Sequence, residues 1–395
     1  MTDTKQTDRV VAGTGAAPAF EDWWASLLWP RLVTAVVLGL RPGRVGLAFV
    51  GLAATSVLLG FGLQFDRWIG RGTIDVPTPM SVAAALDPVW VWSVAVDLPL
   101  ALVRGVPITT LLMGPCVLVL WAVLLGAISR LAALEFALGQ FGAWHEGLNF
   151  AAARARSLVG VALGPAILVW GVALLLAVGG WVGQWPGLNV LAALLLGLAM
   201  LVGLFAVVVV AGMAIVHGLC VAAVAADGAD AIDAVQRGFA YLFTRPLRLL
   251  FYLVLAGVGV VLVGVVAAWL LASTLDFTSR GITAFMGPER ARPFAWPLRL
   301  GYSAGADDLG TLATATARIV GFWAGVAGML VQAIIVSGAM GAATAVYLAI
   351  RKACDGQDPA DLYLPGAMEA AMADAAAARL TPGTASAGGP IEADA

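Results

Sequence analysis

The chain has 395 residues, of which 61% are hydrophobic and only 12% are charged. Soluble domains carry about 25% charged residues, so this chain has too little charge to cover a water-facing surface. The composition excludes a disordered chain, a collagen, a coiled coil and a secreted disulfide scaffold, and it predicts an all-α polytopic transmembrane helix bundle. The net charge of −2 offers no basic surface to nucleic acid.

The N-terminal region precedes the first predicted membrane span. Residues 1–19 are polar and of mixed charge, and we expect them to be flexible and to contain no cleavable signal peptide. Phe20–Leu40 has three Trp residues, but only its residues 32–40 are free of charge. Because this stretch is too short to cross a bilayer, we expect a helix that lies on the cytoplasmic face.

Long uncharged runs predict six membrane spans, since a crossing helix needs about 20 apolar residues. The run at 157–226 has 70 residues and is divided by a Trp- and Gly-rich turn at 181–189, so it holds two spans. Residues 353–395 form a cytoplasmic tail that we expect to be disordered from about residue 381. The membrane domain covers 20–352, with spans at about 45–64, 107–128, 158–180, 189–217, 248–275 and 319–350.

The distribution of basic residues predicts the orientation, because cytoplasmic loops carry an excess of Lys and Arg. With the N-terminus inside, 14 of the 22 basic residues lie on the cytoplasmic side and 8 on the outer side. We therefore expect both termini in the cytoplasm and the chain in a bacterial cell inner membrane. Two outer loops, at 66–104 and 276–317, are long for connections in a bundle.

Two of the predicted cytoplasmic segments resemble each other. Phe150–Leu158 matches Phe239–Leu247 at four of nine positions, with a constant offset of 89 residues. Each match lies at the end of a segment, 130–157 or 227–247, whose apolar residues recur every three or four positions. This period predicts two further interfacial amphipathic helices, which makes three with Phe20–Leu40.

Basic residues follow both of these helices where the next span begins. Arg156, Arg245 and Arg248 are expected at the level of the lipid headgroups. Two interpretations stay open: a contact with a lipid headgroup or a protein partner, and an anchor that only fixes the topology.

The second amphipathic segment also carries signals for its ends. Asp230 is expected to cap the start of the helix, and Pro246 is expected to end it. Asp233 and Arg237 are spaced four residues apart and predict an ion pair on the helix surface.

The stretch Asp230–Pro246 resembles the amphipathic segment of uncharacterised bacterial multispanning membrane proteins. Leu28–Leu32 and Arg41–Arg44 resemble the start of the same proteins. These proteins are similar in plan to the membrane domain that accompanies some glycerophosphodiester phosphodiesterases. The resemblance implies a shared architecture over about residues 20–350 and implies no catalytic residues, because the soluble phosphodiesterase barrel is not in this chain.

Reactive groups are few in this sequence. The two histidines, His145 and His217, lack the spacing of a metal site and are predicted to be structural, with a weak shared site left open. Gly301–Gly305 matches the Gly-x-Ser-x-Gly pattern of a nucleophile elbow, but the strand and the nearby base that this chemistry requires are not predicted. The three cysteines are expected to be free thiols. We therefore expect no catalytic residue, no cofactor and no bound metal.

These patterns together predict an integral membrane protein without an active site, in an assembly, lipid-interaction or partner-supporting role. A permease or channel-like protein for a neutral or lipidic solute is the alternative. Besides the lipid bilayer, the partners considered are another membrane protein and a second copy of the chain. Gly160 and Gly164, four residues apart on the third span, are expected to allow close helix packing.

Overall fold

The computed structural model describes residues 39–72, 92–185, 188–287, 290–291, 294 and 311–364. These residues form helices and connections without a β-strand, which confirms the all-α prediction. Short π-helical turns at Ser93–Asp97 and Thr109–Met113 precede the second and third α-helices. In chain order the α-helices of these ranges are α1 (Pro42–Trp68), α2 (Leu98–Gly105), α3 (Gly114–Leu138), α4 (Trp144–Ala153), α5 (Ala155–Val182), α6 (Leu188–Leu194), α7 (Leu196–Asp227), α8 (Ala231–Thr244), α9 (Pro246–Thr283) and α10 (Thr311–Asp355).

Six of the described helices are long and apolar enough to cross a membrane, which agrees with the predicted number of spans. They are α1, α3 together with the π-helical turn before it, α5, α7, α9 and α10. The chain is therefore a multi-pass membrane protein.

Three of the spans are much longer than a bilayer requires. Helices α7, α9 and α10 have 32, 38 and 45 residues. At about 1.5 Å per residue, each exceeds the hydrocarbon core of about 30 Å. The fourth span is predicted at 189–217, whereas a turn at Leu195 separates α6 from α7, and α7 continues to Asp227. The additional turns of α7 are where much of the tertiary packing takes place.

Burial is concentrated at one end of the bundle, where α3, α7 and α10 converge. Every residue of 126–133, 219–226 and 344–351 is buried, and we call this region the packed end. Small side chains allow the helices to approach closely here. For example, a Cβ atom added to Gly218 would lie 2.8 Å from the Cβ of Ala343.

The membrane-crossing parts of the helices are packed much less tightly than this end. In the most apolar 18-residue window of each span, at most 28% of the residues are buried within the protein. Their exposed Leu, Val and Phe side chains are suited to contact with lipid tails, which are as apolar as these residues. Tertiary contacts that define the fold therefore lie mainly at the packed end.

Helix α8 corresponds to the amphipathic helix predicted within 227–247. It begins after Asp230, whose backbone is extended, and it ends just before Pro246, the first residue of α9. The helix packs along α7, since a Cβ atom added to Gly238 would lie 2.6 Å from the sulfur of Cys220. Only a glycine fits at this crossing without displacement of the neighbouring helix.

The first predicted amphipathic segment, 130–157, is not one interfacial helix. Helix α3 continues through this segment to Leu138 and ends at Gly139, which has a positive φ of 66°. Helix α4 and the start of α5 make up the rest. The apolar period of the segment comes from the buried extension of a span, including Leu131, rather than from a helix on the membrane surface.

At the opposite end of the bundle, Asp66 joins the first two spans. Its carboxylate accepts hydrogen bonds from the backbone N–H groups of Ile108 and Thr109, both at 2.9 Å. The Thr109 hydroxyl donates to the same carboxylate at 2.6 Å. Asp66 is fully buried and caps the start of the second span.

Several predictions concern residues outside the described ranges. They are the flexible residues 1–19, almost all of the interfacial helix Phe20–Leu40, the Gly301–Gly305 motif and the disorder of the tail from about 381.

Candidate functional site

The packed end contains a polar network centred on Asp227, the last residue of α7. Its carboxylate accepts hydrogen bonds from Arg351 Nη1, from the Tyr347 hydroxyl and, at 2.7 Å, from Arg237 Nη1. The Arg351 side chain is 1% exposed and the Asp227 side chain 11%, so this ion pair is largely buried. The Asp227 network therefore joins α7, α8 and α10 through one carboxylate.

Residues 356–364, which follow α10, fold back onto this network. Arg351 Nη2 donates hydrogen bonds to the backbone oxygens of Asp358 and Asp361, both at 2.9 Å. The same guanidinium thus binds Asp227 with one nitrogen and holds this segment with another. The segment 356–364 forms one wall of a cavity of about 430 Å³, and Asp227 and Arg237 line the other side.

At the buried C-terminal end of α7, donors from outside the helix bind backbone carbonyl groups that have no N–H donor within the helix. Arg130 Nη1 donates to the oxygen of Ala225 at 2.9 Å, and the Tyr363 N–H donates to the oxygen of Ala226 at 2.8 Å. Arg154 lies over the Tyr363 ring, 4.9 Å from its centroid. Positive charge at this position also complements the negative end of the helix dipole.

A tyrosine links α8 to the end of α10. The Tyr241 hydroxyl donates a hydrogen bond to the carboxylate of Asp355. Burial of the hydroxyl, this hydrogen bond and the charge of the carboxylate raise the pKa of Tyr241 above its usual range. The phenol is therefore neutral at physiological pH and stays a hydrogen-bond donor.

A second ion pair at the packed end links α1 to α3. Glu135 accepts hydrogen bonds from Arg44 and, at 2.9 Å, from Arg41 Nε. Arg44 is almost completely buried, whereas Arg41 is half-exposed and lies over the ring of Phe141 at 4.5 Å. The residues that begin the first span therefore have a structural role.

A different kind of site lies on the side of the bundle, between α5, α7 and α8. It is an apolar groove of about 510 Å³, which we call the lateral groove. The Leu168, Phe205 and Phe243 side chains at its edge are exposed, so the groove opens towards the region that lipid occupies. Its other lining residues include Gly160, Gly164, Pro165, Ile232, Val235 and Phe239.

A polar cavity of about 550 Å³ adjoins the lateral groove, and we call it the Arg156 cavity. Arg154, Arg156, Ser157 and Asp230 supply its polar lining. It shares Ala231 and Ile232 with the groove, so the two spaces meet at the first turn of α8.

The three arginines predicted at the headgroup level are not brought together. Arg156 is exposed in the first turn of α5, beside the start of α8. Arg245 is exposed at the other end of α8, and Arg248 is half-buried in the first turn of α9. Both act electrostatically on Cys354, which places them beside the end of α10.

The central residues of the Asp227 network are missing from the sequence prediction. Arg237 is predicted to pair with Asp233, but it pairs with Asp227, so that prediction is wrong. Asp227 and Arg351 each end a long uncharged run, and this is the signal from which they are detectable. The ends of these uncharged runs do not show that the two residues contact each other, since 124 positions separate them.

The histidines and cysteines do not form a cluster in the part of the chain that the structure describes. His145 is exposed on α4, whereas His217 lines a separate cavity between α5, α7 and residues 94–99. Within the described ranges, no group of three or more His, Cys, Asp or Glu side chains is arranged to hold a metal ion. Cys116, Cys220 and Cys354 are free thiols.

Gly160 and Gly164 differ in their surroundings, although both were expected at packing positions. A Cβ atom added to Gly160 would lie 2.6 Å from the Cβ of Ala231, so α8 approaches α5 closely at this point. A Cβ atom added to Gly164 would meet no atom within 4 Å, because this glycine faces the groove.

The chain matches no protein-family model, no curated protein and no solved structure.

Proposed function

We propose that this chain is a non-enzymatic protein of the cell inner membrane that holds a membrane lipid in the lateral groove. The observation that carries the proposal is the groove itself, an apolar space of about 510 Å³ that opens sideways from the bundle. This volume is within the range of about 300–1,000 Å³ that is usual for ligand pockets.

The residues of α5 explain why the groove exists. Gly164 has no side chain, and the space beside it is open, with no atom within 4 Å of an added Cβ. Pro165 lacks a backbone N–H, so the normal helix hydrogen bond to the preceding turn is missing at this point. Neither residue has a long side chain, so this face of α5 leaves the space of the groove open.

In this proposal the packed end lies in the cytoplasm, as the excess of basic residues on that side favours. The Arg156 cavity then stands at the cytoplasmic leaflet, and the groove extends from it into the acyl-chain region. A lipid held in this way would contact α5, α7 and α8 together, which corresponds to the lipid-interaction role among those predicted from the sequence.

The test is lipid retention by a variant in which the groove is filled. We expect Gly164→Leu to place a side chain in the groove and to lower the amount of lipid that stays bound after purification in mild detergent. Native mass spectrometry measures the bound lipid for each protein. Gly257→Leu is the matched control, because Gly257 also lies on a span with no atom within 4 Å of an added Cβ but does not line the groove.

The outcomes separate clearly. Loss of bound lipid in Gly164→Leu, with retention in Gly257→Leu and in the natural chain, supports the proposal. Equal retention by all three proteins, or no lipid bound to the natural chain, overturns it. Both substitutions replace glycine in a helix by a better helix former, so neither is expected to reduce folding.

A second candidate function, passage of a neutral or lipidic solute, is favoured by a separate observation. A cavity of about 590 Å³ lies beside the groove and shares Pro165 and Val209 with it. His217 contributes a polar side chain to this cavity. Movement of a fluorescent phospholipid between the two leaflets of reconstituted vesicles, absent from protein-free vesicles, would favour this candidate.

A further inference from the structure

The Arg156 cavity has the chemistry of an anion site. It lies between the first turns of α5 and α8, because Arg156 and Ser157 belong to one turn and Ala231 and Ile232 to the other. The positive ends of the α5 and α8 dipoles therefore meet at the cavity, in addition to its arginines, whereas Ala153, the last residue of α4, brings the negative end of one helix to the same lining. This combination favours a negatively charged group.

The two arginines of the cavity have different roles. Arg154 donates to the backbone oxygen of Gly228 at 2.6 Å and lies over the Tyr363 ring, so its guanidinium is held in place. Arg156 is exposed, and no described residue forms a hydrogen bond or an ion pair with it. Arg156 is therefore the cation available to a ligand.

One carboxylate, Asp230, also lines the cavity. It stands at the N-cap position of α8 but makes no side-chain hydrogen bond to the helix. The formal charges of the lining, two arginines against one aspartate, leave the cavity with a net positive charge.

The headgroup must decide which lipid binds. Acyl chains lose little by leaving the bilayer for the groove, because the groove and the lipid tails are equally apolar. The chains of different phospholipids are also alike, so the groove alone does not discriminate among them. Selection is left to the Arg156 cavity.

On the basis of the proposed function, we infer that the bound lipid is an anionic phospholipid, with its phosphate beside Arg156 and Ser157 and one acyl chain in the lateral groove. The contact of the two spaces at Ala231 and Ile232 allows one molecule to occupy both. A free phosphate would fill only the cavity and would not depend on the groove.

The experiment measures headgroup preference at constant chain composition. The full chain is reconstituted in bilayers of equal parts dioleoyl phosphatidylglycerol and dioleoyl phosphatidylcholine, then extracted and analysed by native mass spectrometry. One arginine near an anionic headgroup increases the binding constant by roughly fivefold. We expect phosphatidylglycerol to be enriched over phosphatidylcholine by about this factor.

Variants assign this preference to the cavity. Arg156→Gln is expected to abolish the enrichment while lipid stays bound, and Arg156→Lys is expected to keep it. Arg280→Gln is the control, since Arg280 is an exposed arginine on α9 and does not line the cavity. Its enrichment should equal that of the natural chain.

The failures of the two proposals are distinguishable. If lipid binds without preference, or if Arg156→Gln keeps the preference, the inference is overturned and the lipid-holding function stands. If neither lipid is retained, the proposed function itself fails. Retention of phosphatidylglycerol by Gly164→Leu at the natural level would assign binding to the phosphate alone and would overturn the role of the groove.

Discussion

Asp227 and Arg351 show how a membrane protein with few charges uses them. The guanidinium of Arg351 is almost completely buried, and its partners are a carboxylate and two backbone oxygens. Each of these groups loses water when the chain folds, so the pair contributes little as long as it is intact. Its effect appears when one partner is removed, because the other charge stays buried without compensation.

Removal of the carboxylate in Asp227→Ala should therefore strongly destabilise the protein. We expect the free energy of unfolding to fall by about 3–5 kcal/mol, since Arg351 would remain buried and charged. The measurement is an SDS titration of the purified protein in mixed micelles.

The control for this variant is Asp276→Ala. Asp276 and Arg280 form an ion pair at 2.7 Å on α9, but their side chains are 61% and 80% exposed. An exposed pair of this kind contributes about 0.2–1 kcal/mol. Similar losses for the two variants would contradict the structural role of the Asp227 network.

Helix α8 and the segment 356–364 show which elements a sequence reveals. The ends of α8 lie at the predicted residues, Asp230 and Pro246, because both are local signals. The Asp230 side chain makes no hydrogen bond to the helix, so its predicted capping role is wrong. The partner of Arg237 is not predicted, because a tertiary contact with Asp227 replaces the local pair with Asp233. The position of the segment 356–364 is also not predictable from the sequence, since it depends on Arg351 and on the end of a helix that is distant in the chain.

The contribution of the segment 356–364 is testable by truncation. A chain that ends after Asp355 loses both backbone acceptors of Arg351 and the hydrogen bond from Tyr363 to Ala226. With about 1–3 kcal/mol for each bond, we expect a loss of at least 3 kcal/mol in the free energy of unfolding.

A chain that ends after Leu364 is the matched control for this truncation. It removes the remaining tail but keeps every contact of the segment that the structure describes, so the difference in stability between the two truncated chains measures the segment alone. Equal stability of the two truncated chains would show that the segment covers the packed end without stabilising it. Both measurements use the same titration as the Asp227 variants.

At the scale of the whole molecule, the uncharged runs predict the number of spans correctly, because exclusion of charge from lipid depends on composition alone. They do not predict that α7 and α10 continue past the bilayer into a tightly packed end. That continuation depends on small residues such as Gly218 and Ala343, whose packing is a property of two helices together. The lateral groove is not predictable from the sequence for the same reason, since three helices form it.

The orientation of the molecule in the membrane is testable at two exposed positions. Lys352 lies at the packed end, and Gln184 lies in the turn after α5, at the opposite end of the bundle. Lys352→Cys and Gln184→Cys would be made separately in a chain whose three natural cysteines are replaced by alanine. With the packed end in the cytoplasm, a membrane-impermeant maleimide should label Gln184→Cys in intact spheroplasts. It should label Lys352→Cys only after permeabilisation, because a charged reagent does not cross the hydrocarbon core. The reverse pattern would place the packed end and the Arg156 cavity outside the cell, and labelling of both positions in intact cells would contradict their location on opposite sides of the membrane.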